Sequence, residues 1–133
     1  MSCVLRAGGK EFDVDEFIKG TTLLPCAVFR KGELIGSKNL KCSVSGLNIE
    51  ISSASFDNFD KQIKDAVKFL KENKREITKL IKAEGLDGTP ELDFAVNRSD
   101  AFTLSYCFPA DLVALVGSMG LGIRISQYPI KDK

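Results

Sequence analysis

The chain has 133 residues, of which 44% are hydrophobic and 28% charged, a composition typical of one globular domain. Its 19 basic and 18 acidic residues leave a formal charge of +1, so no overall field attracts nucleic acid or anionic lipid. The chain contains no histidine, which excludes nucleophilic triads built on imidazole and removes the commonest transition-metal ligand.

The N-terminal residues and the cysteines predict a cytoplasmic protein. No apolar core of signal-peptide length precedes Gly8, and no stretch approaches the length of a membrane span, so we expect no membrane partner. Reduced thiols are expected rather than disulfides. Four widely spaced cysteines, without a C-x-x-C pair, predict neither a metal site nor a cofactor; they are Cys3, Cys26, Cys42 and Cys107.

The predicted elements begin with a strand at residues 2–7, closed by the Gly8-Gly9 pair. A short helix follows, capped by Asp13 or Asp15 and ending near Lys19. Acidic residues in this first turn favour the helix electrostatically, so capping is the default explanation for them.

Extended segments precede the middle of the chain. Residues 26–30 are predicted to be extended and to turn back at Lys31-Gly32. Residues 40–45 and 48–53 alternate apolar and polar side chains on either side of Ser45-Gly46-Leu47, which predicts a β-hairpin. Because the apolar side chains share one face, we expect an antiparallel sheet with one face buried.

The central stretch, residues 57–85, carries an amphipathic helical pattern that is capped by Ser55 or Asp57 and ends at Gly85. Its apolar side chains recur at steps of three and four; they are Phe59, Ile63, Ala66, Val67, Leu70, Ile77, Leu80 and Ile81. The stripe loses a member at Asn73-Lys74, so one long helix and two consecutive helices both fit. Lysines on the opposite face alternate with carboxylates, which favours a solvated surface over a nucleic-acid patch.

The last third of the chain is predicted to form a hairpin, a helix and a strand. The hairpin strands are residues 91–98 and 101–108. The helix opens at Pro109 and ends near Met119, and residues 121–128 form the closing strand before a loose tail at residues 130–133. Three glycines follow a helix and precede a strand, the reverse of a phosphate-binding loop, so they predict helix termination; they are Gly117, Gly120 and Gly122.

Together these elements predict a single α+β domain over residues 1–133. Its mainly antiparallel sheet of about six strands has the helices packed on one face. A ferredoxin-like or related split arrangement fits the alternation of strand, helix and hairpin units. Periodicity alone does not give the strand order.

The side of the sheet opposite the helices is the candidate site. Alternation leaves its side chains small and polar, with few of the lysines and glutamates that an ordinary solvated face carries. Arg124 is predicted to pair with an anionic group while its neighbours form hydrogen bonds. The predicted ligand or partner residues are Asn97, Thr103, Ser105, Arg124, Ser126 and Tyr128. A plain water-facing sheet is the alternative.

The lack of catalytic groups favours a non-enzymatic binding or protein-interaction module that uses this open sheet face. A protein partner or a second copy of the chain would occupy it, and an immunity-type protein that blocks a toxin is one concrete version. The first alternative is a small-molecule binding protein that takes an anionic ligand near Arg124. The second is a small enzyme with carboxylate or cysteine chemistry, for which Cys107 near Arg124 is the candidate pair.

Three stretches resemble a family of small bacterial proteins, the domain of unknown function DUF4279. They are SCVLRAGGKEFDVDEFIKG, LLPCAVFRKGEL and FPADLVALVGSMGLGIRISQYPI. The last fits as a helix followed by a strand that ends in tyrosine. The resemblance implies an α+β fold and brings no established activity or catalytic residues.

Overall fold

The computed structural model describes residues 1–37 and 39–130, so most of the predicted tail lies outside the described residues. Within them the chain forms five strands and four helices. In chain order these are β1 (Cys3–Gly9), α1 (Val14–Lys19), β2 (Ala27–Phe29), β3 (Ser45–Ser52), α2 (Phe59–Glu72), α3 (Lys74–Ile81), β4 (Glu91–Asn97), α4 (Ala110–Met119) and β5 (Gly122–Tyr128).

The strands form one sheet in the order β2-β3-β1-β4-β5. The central strand β1 is antiparallel to both β3 and β4, and β2 is antiparallel to β3. The β4–β5 pair is parallel, and α4 supplies the crossover connection that parallel neighbours require. The predicted α+β class is therefore confirmed, with five strands in place of about six and one parallel pair in the sheet.

The predicted hairpin at residues 40–53 is wrong, because β3 runs straight through Gly46 and residues 40–44 lie outside the strands. Gly46 is needed for close approach rather than for a turn. A Cβ atom there would overlap the carbonyl oxygen of Ala7 and lie 2.6 Å from Cζ of Phe29. Glycine at this position lets the Phe29 ring cross the strand.

The predicted strand at residues 101–108 is also wrong, because residues 98–109, all of them described, contain no strand. Tyr106 and Phe108 instead pack edge-on against Phe59 of α2, with ring centroids 5.0 and 5.5 Å away. Phe102 is fully exposed and Leu104 half exposed. The aromatic residues anchor a connection to the helix layer.

The central stretch forms two helices that are separated at Asn73. The Asn73 amide donates to the carbonyl oxygen of Phe69 at 3.0 Å, and the Asn73 backbone N–H bonds the same oxygen. The cap of α2 is Asn58, whose side chain accepts from a backbone N–H three residues later at 3.2 Å. The predicted caps Ser55 and Asp57 are therefore wrong.

Two other helix ends match their predictions. Asp13, one of the two predicted caps of α1, accepts from the backbone N–H of Glu16 at 3.1 Å. Gly120 ends α4 in the left-handed conformation, with a φ of 75°, and its N–H returns to the last turn of the helix. The glycine cluster thus terminates a helix, as its position after α4 indicated.

The core lies between the sheet and the helices on one side of it. The fully buried side chains there come from the three central strands and from α2, α3 and α4; they include Leu5, Leu47, Leu92, Phe94, Leu70, Ile77, Leu80 and Leu112. The sheet therefore presents its other face to solvent, and that face holds the candidate site.

Candidate functional site

The open face is the side of the sheet that carries Arg6, Glu91, Asp93, Arg124 and Ser126. These side chains come from β1, β4 and β5 and bond to one another across the strands. Residues 93 and 124 are register partners in the parallel β4–β5 pair. Successive strand residues point to opposite faces, so these residues share the face away from the helices.

Asp93 is a buried carboxylate at the middle of this face, and only 6% of the residue is exposed. Arg6 Nε donates to its Oδ2 at 2.9 Å, and Ser126 Oγ donates to its Oδ1 at 2.6 Å. Both carboxylate oxygens therefore have partners, which a buried charge requires. With the Asn48 amide group oriented so that its oxygen faces Arg6, this oxygen accepts a hydrogen bond from Arg6 Nη1 at 3.1 Å. The charge pair has a fixed geometry.

Arg124 is engaged by Glu91 through two parallel bonds. Its Nε lies 2.7 Å from Glu91 Oε2, and its Nη2 lies 3.1 Å from Glu91 Oε1. The hydrogen bond from Arg124 lowers the pKa of the Glu91 carboxyl, and the same bond raises the pKa of Arg124. An anionic ligand at Arg124 would have to compete with Glu91.

Removing the Arg124 guanidinium should raise the pKa of Glu91 towards its ordinary value of 4.5. The pKa of Glu91 is lower in the folded protein than in the unfolded chain. The Glu91–Arg124 pair therefore stabilises the fold above the unfolded-state pKa of Glu91, and this stabilisation is lost as the pH falls through the folded-state pKa. We therefore expect Arg124→Gln to lower the free energy of unfolding at about pH 7 and to have less effect at about pH 3.

Carbon-13 NMR of the Glu91 carboxyl measures this directly in the wild type and in Arg124→Gln. Lys82→Gln, an exposed change on the helix side, is the control and should leave the titration of Glu91 unchanged. Equal Glu91 titration midpoints in wild type and Arg124→Gln would show that the two groups do not interact in solution.

A groove of about 490 Å³ lies beside these charge pairs on the open face. We call it the sheet groove. Arg6, Asp93 and Ser126 line it, and the connection from Leu86 to Pro90 forms one wall. That wall is held to β1, because the Asp87 backbone N–H donates to the carbonyl oxygen of Gly8 at 3.0 Å. The groove thus combines a fixed polar floor with a tethered wall.

The structure brings four of the six predicted site residues onto the open face. Asn97 and Tyr128 are register partners at one end of the β4–β5 pair, and Tyr128 packs against Phe56 with ring centroids 5.5 Å apart. Arg124 and Ser126 lie nearer the centre. The other two, Thr103 and Ser105, are exposed in the connection between β4 and α4.

The predicted site did not include Arg6, Glu91 or Asp93. The signal was a single charged residue inside an otherwise apolar strand, as in the runs around Arg6 and Asp93. Cys107 and Arg124, the predicted reactive pair, line different grooves, so the structure does not bring them together.

The fold and this face define an α+β protein with a polar, charge-paired sheet surface. The chain belongs to the family described as domain of unknown function (DUF4279), whose model matches residues 1–129. This match confirms the resemblance seen in the three stretches of sequence. No curated protein and no solved structure matches the chain.

Membrane-spanning and metal-binding features are both absent from the part of the chain that the structure describes. Among those residues, no helix has the length and apolar character needed to cross a membrane. Within the same residues, no group of three or more cysteine, aspartate or glutamate side chains is placed to hold a metal ion. Neither result adds a functional group to the open face.

Proposed function

We propose that the protein is a binding module that recognises a partner protein through the open face. The observation that carries this proposal is Asp93, a carboxylate almost fully buried on a sheet face that faces solvent, with both oxygens bonded. Side chains that are already fixed lose less entropy on binding, so a surface of this kind is suited to recognition.

The chemistry of the surrounding residues also suits a protein partner. Arginine and tyrosine are enriched at protein interfaces, and Arg124 and Tyr128 are both exposed on β5. An immunity-type protein that covers a toxin through such a surface is the concrete version that we favour.

A small polar ligand is the second candidate, and the sheet groove favours it. Its volume of about 490 Å³ lies within the range of small-molecule sites. The two arginines that line it are already paired with carboxylates. A neutral or zwitterionic ligand therefore fits this groove better than the anionic ligand that the sequence suggested.

The test is co-purification with the products of neighbouring genes, each co-expressed with the tagged chain. We expect one product to bind the wild type and to be lost from Arg124→Ala/Tyr128→Ala, because each truncation at an interface anchor costs more than about 1 kcal/mol. The matched control is Arg75→Ala/Lys82→Ala, which removes two exposed side chains from the helix side.

A complex that survives Arg124→Ala/Tyr128→Ala, or one that the control variant disrupts equally, would contradict the proposal. Sedimentation velocity of the same samples tests whether a second copy of the chain is the partner. In that case Arg124→Ala/Tyr128→Ala should shift a dimer towards the monomer, and an unchanged dimer would place the contact elsewhere.

A further inference from the structure

A second groove lies on the helix side of the molecule, between α2 and the start of α4. We call it the α2 groove, and its volume is about 710 Å³. Its apolar lining comes from Ile63 and Val67 of α2 and from Pro109 beside α4. Cys107 also lines it and is an exposed free thiol. This groove is separate from the open face, because the sheet lies between them.

One side of the α2 groove carries a row of lysines. Lys64, Lys68 and Lys71 line it at steps of four and three residues, so they follow one face of α2. All three are exposed, and none takes part in an ion pair among the described residues. The nearby Asp65 is engaged instead by Lys61 at 3.3 Å and by Ser52 at 2.6 Å.

The groove has two carboxylates of its own, which against the three lysines leave its lining with a net charge of +1. Asp60 lies in the first turn of α2 and Asp111 in the first turn of α4, where carboxylates favour a helix electrostatically. The three lysines along the middle and end of α2 are in no ion pair within the described residues, so their ammonium groups remain available to an outside group. An apolar floor beside such a row of lysines, in a lining of net positive charge, fits an occupant that is acidic along one edge and apolar on the adjacent face.

We propose that the α2 groove binds an acidic amphipathic helix of a partner protein. The lysine steps correspond to about 6 and 4.5 Å along the helix axis. A helix packed alongside presents glutamates at positions i, i+4 and i+7 with the same two spacings, and the intervening apolar side chains face the groove. Side chains on one face of an extended peptide recur every 6.6 Å or so and fit only one of the two steps.

The test uses a labelled synthetic peptide of about 18 residues, five helical turns, with glutamates at i, i+4 and i+7 and leucines on the adjacent face. Binding is measured by fluorescence anisotropy with the full chain. We expect saturable binding that Lys64→Gln/Lys68→Gln/Lys71→Gln weakens by about tenfold or more, because three cation partners are lost. A peptide with glutamine in place of glutamate should bind as weakly as this variant does.

The matched control removes three exposed positive charges from α3 and its end, outside the α2 groove: Lys74→Gln/Arg75→Gln/Lys82→Gln. It should change affinity by no more than about twofold. Cys107 gives an independent readout, since iodoacetamide labelling in a Cys26→Ser/Cys42→Ser background should slow when the peptide saturates the groove.

Four outcomes would overturn the proposal. They are the absence of saturable peptide binding, equal loss of affinity in the two charge variants, undiminished Cys107 labelling at saturation, and protection of Cys107 by vesicles containing anionic lipid but not by the peptide. The charge variants leave the open face intact. Failure here and failure of the partner contact at Arg124 and Tyr128 are therefore separate results.

Discussion

Gly85→Ala is expected to lower the free energy of unfolding by more than about 3 kcal/mol, because it combines two costs. Gly85 has a φ of 87°, in the left-handed region that L side chains rarely adopt. A Cβ atom there would also overlap the backbone of Glu11 and lie 2.6 Å from the nitrogen of Phe12. The opposing side of this contact is Gly9, whose own Cβ would overlap the Gly85 carbonyl.

Two glycines serve as controls for this prediction. Gly88 has a φ of 77°, and a Cβ atom added there would meet no other atom within 4 Å, so Gly88→Ala isolates the backbone cost of about 1–2 kcal/mol. Gly20 has a φ of −104°, and Gly20→Ala should be close to neutral. Urea denaturation measures all three. A Gly85→Ala variant no less stable than Gly88→Ala would show that the close approach carries no cost.

Phe59→Ala is expected to destabilise the protein by about 3–5 kcal/mol, as large-to-small changes of buried aromatic residues do. Phe59 lies at the first residue of α2 and contacts the rings of Phe94, Tyr106 and Phe108. Its removal leaves a cavity and also detaches the connection between β4 and α4. We therefore expect faster amide exchange in residues 101–108 as well as a lower midpoint in urea.

Phe102→Ala is the matched control, because this phenylalanine lies in the same connection and is fully exposed. It should change stability by less than about 0.5 kcal/mol. Hydrogen exchange followed by mass spectrometry distinguishes the two effects of Phe59→Ala. If Phe59→Ala accelerated amide exchange uniformly over the whole chain, without an additional increase in residues 101–108, the proposed role of Phe59 as an anchor for this connection would be contradicted.

Helices were predictable from the sequence because their signals are local. The 3.6-residue stripe, the Asp13 cap and the Gly120 stop each act within one or two turns, and the structure retains them. The break at Asn73 was visible as a gap in the stripe, although the side-chain bond that ends α2 was not. Caps were less certain, because Ser55, Asp57 and Asn58 are all chemically able to accept the N-terminal bond.

Both predicted hairpins were wrong, because an alternating pattern of apolar and polar residues does not show which part of the protein packs against its apolar side. Gly46 looked like a turn residue in the sequence. The structure instead requires glycine there because the backbone of Ala7, distant in sequence, lies too close for a Cβ atom. In residues 101–108 the aromatic side chains alternate, yet two of them pack on Phe59 without any strand partner. Tertiary contacts of this kind override local preference in both cases.

The candidate site was predictable in part for the same reason. Alternation along β4 and β5 placed Asn97, Arg124, Ser126 and Tyr128 on one face, but it gave no information on which strand lies beside which. The Arg6–Asp93 bond joins residues 87 positions apart, so it depends on the strand order. Only the sheet topology shows that the arginines are already paired.

The central position of β1 has a consequence for how the chain is made. Of the strands β1, β3 and β4, β1 is synthesised first; it pairs with β3 on one side and with β4 on the other, and β4 begins only at Glu91. The edge of β1 that pairs with β4 therefore stays unpaired while the residues between them are being made. Until β4 emerges, β1 exposes this edge, which is the state most prone to chaperone capture or aggregation.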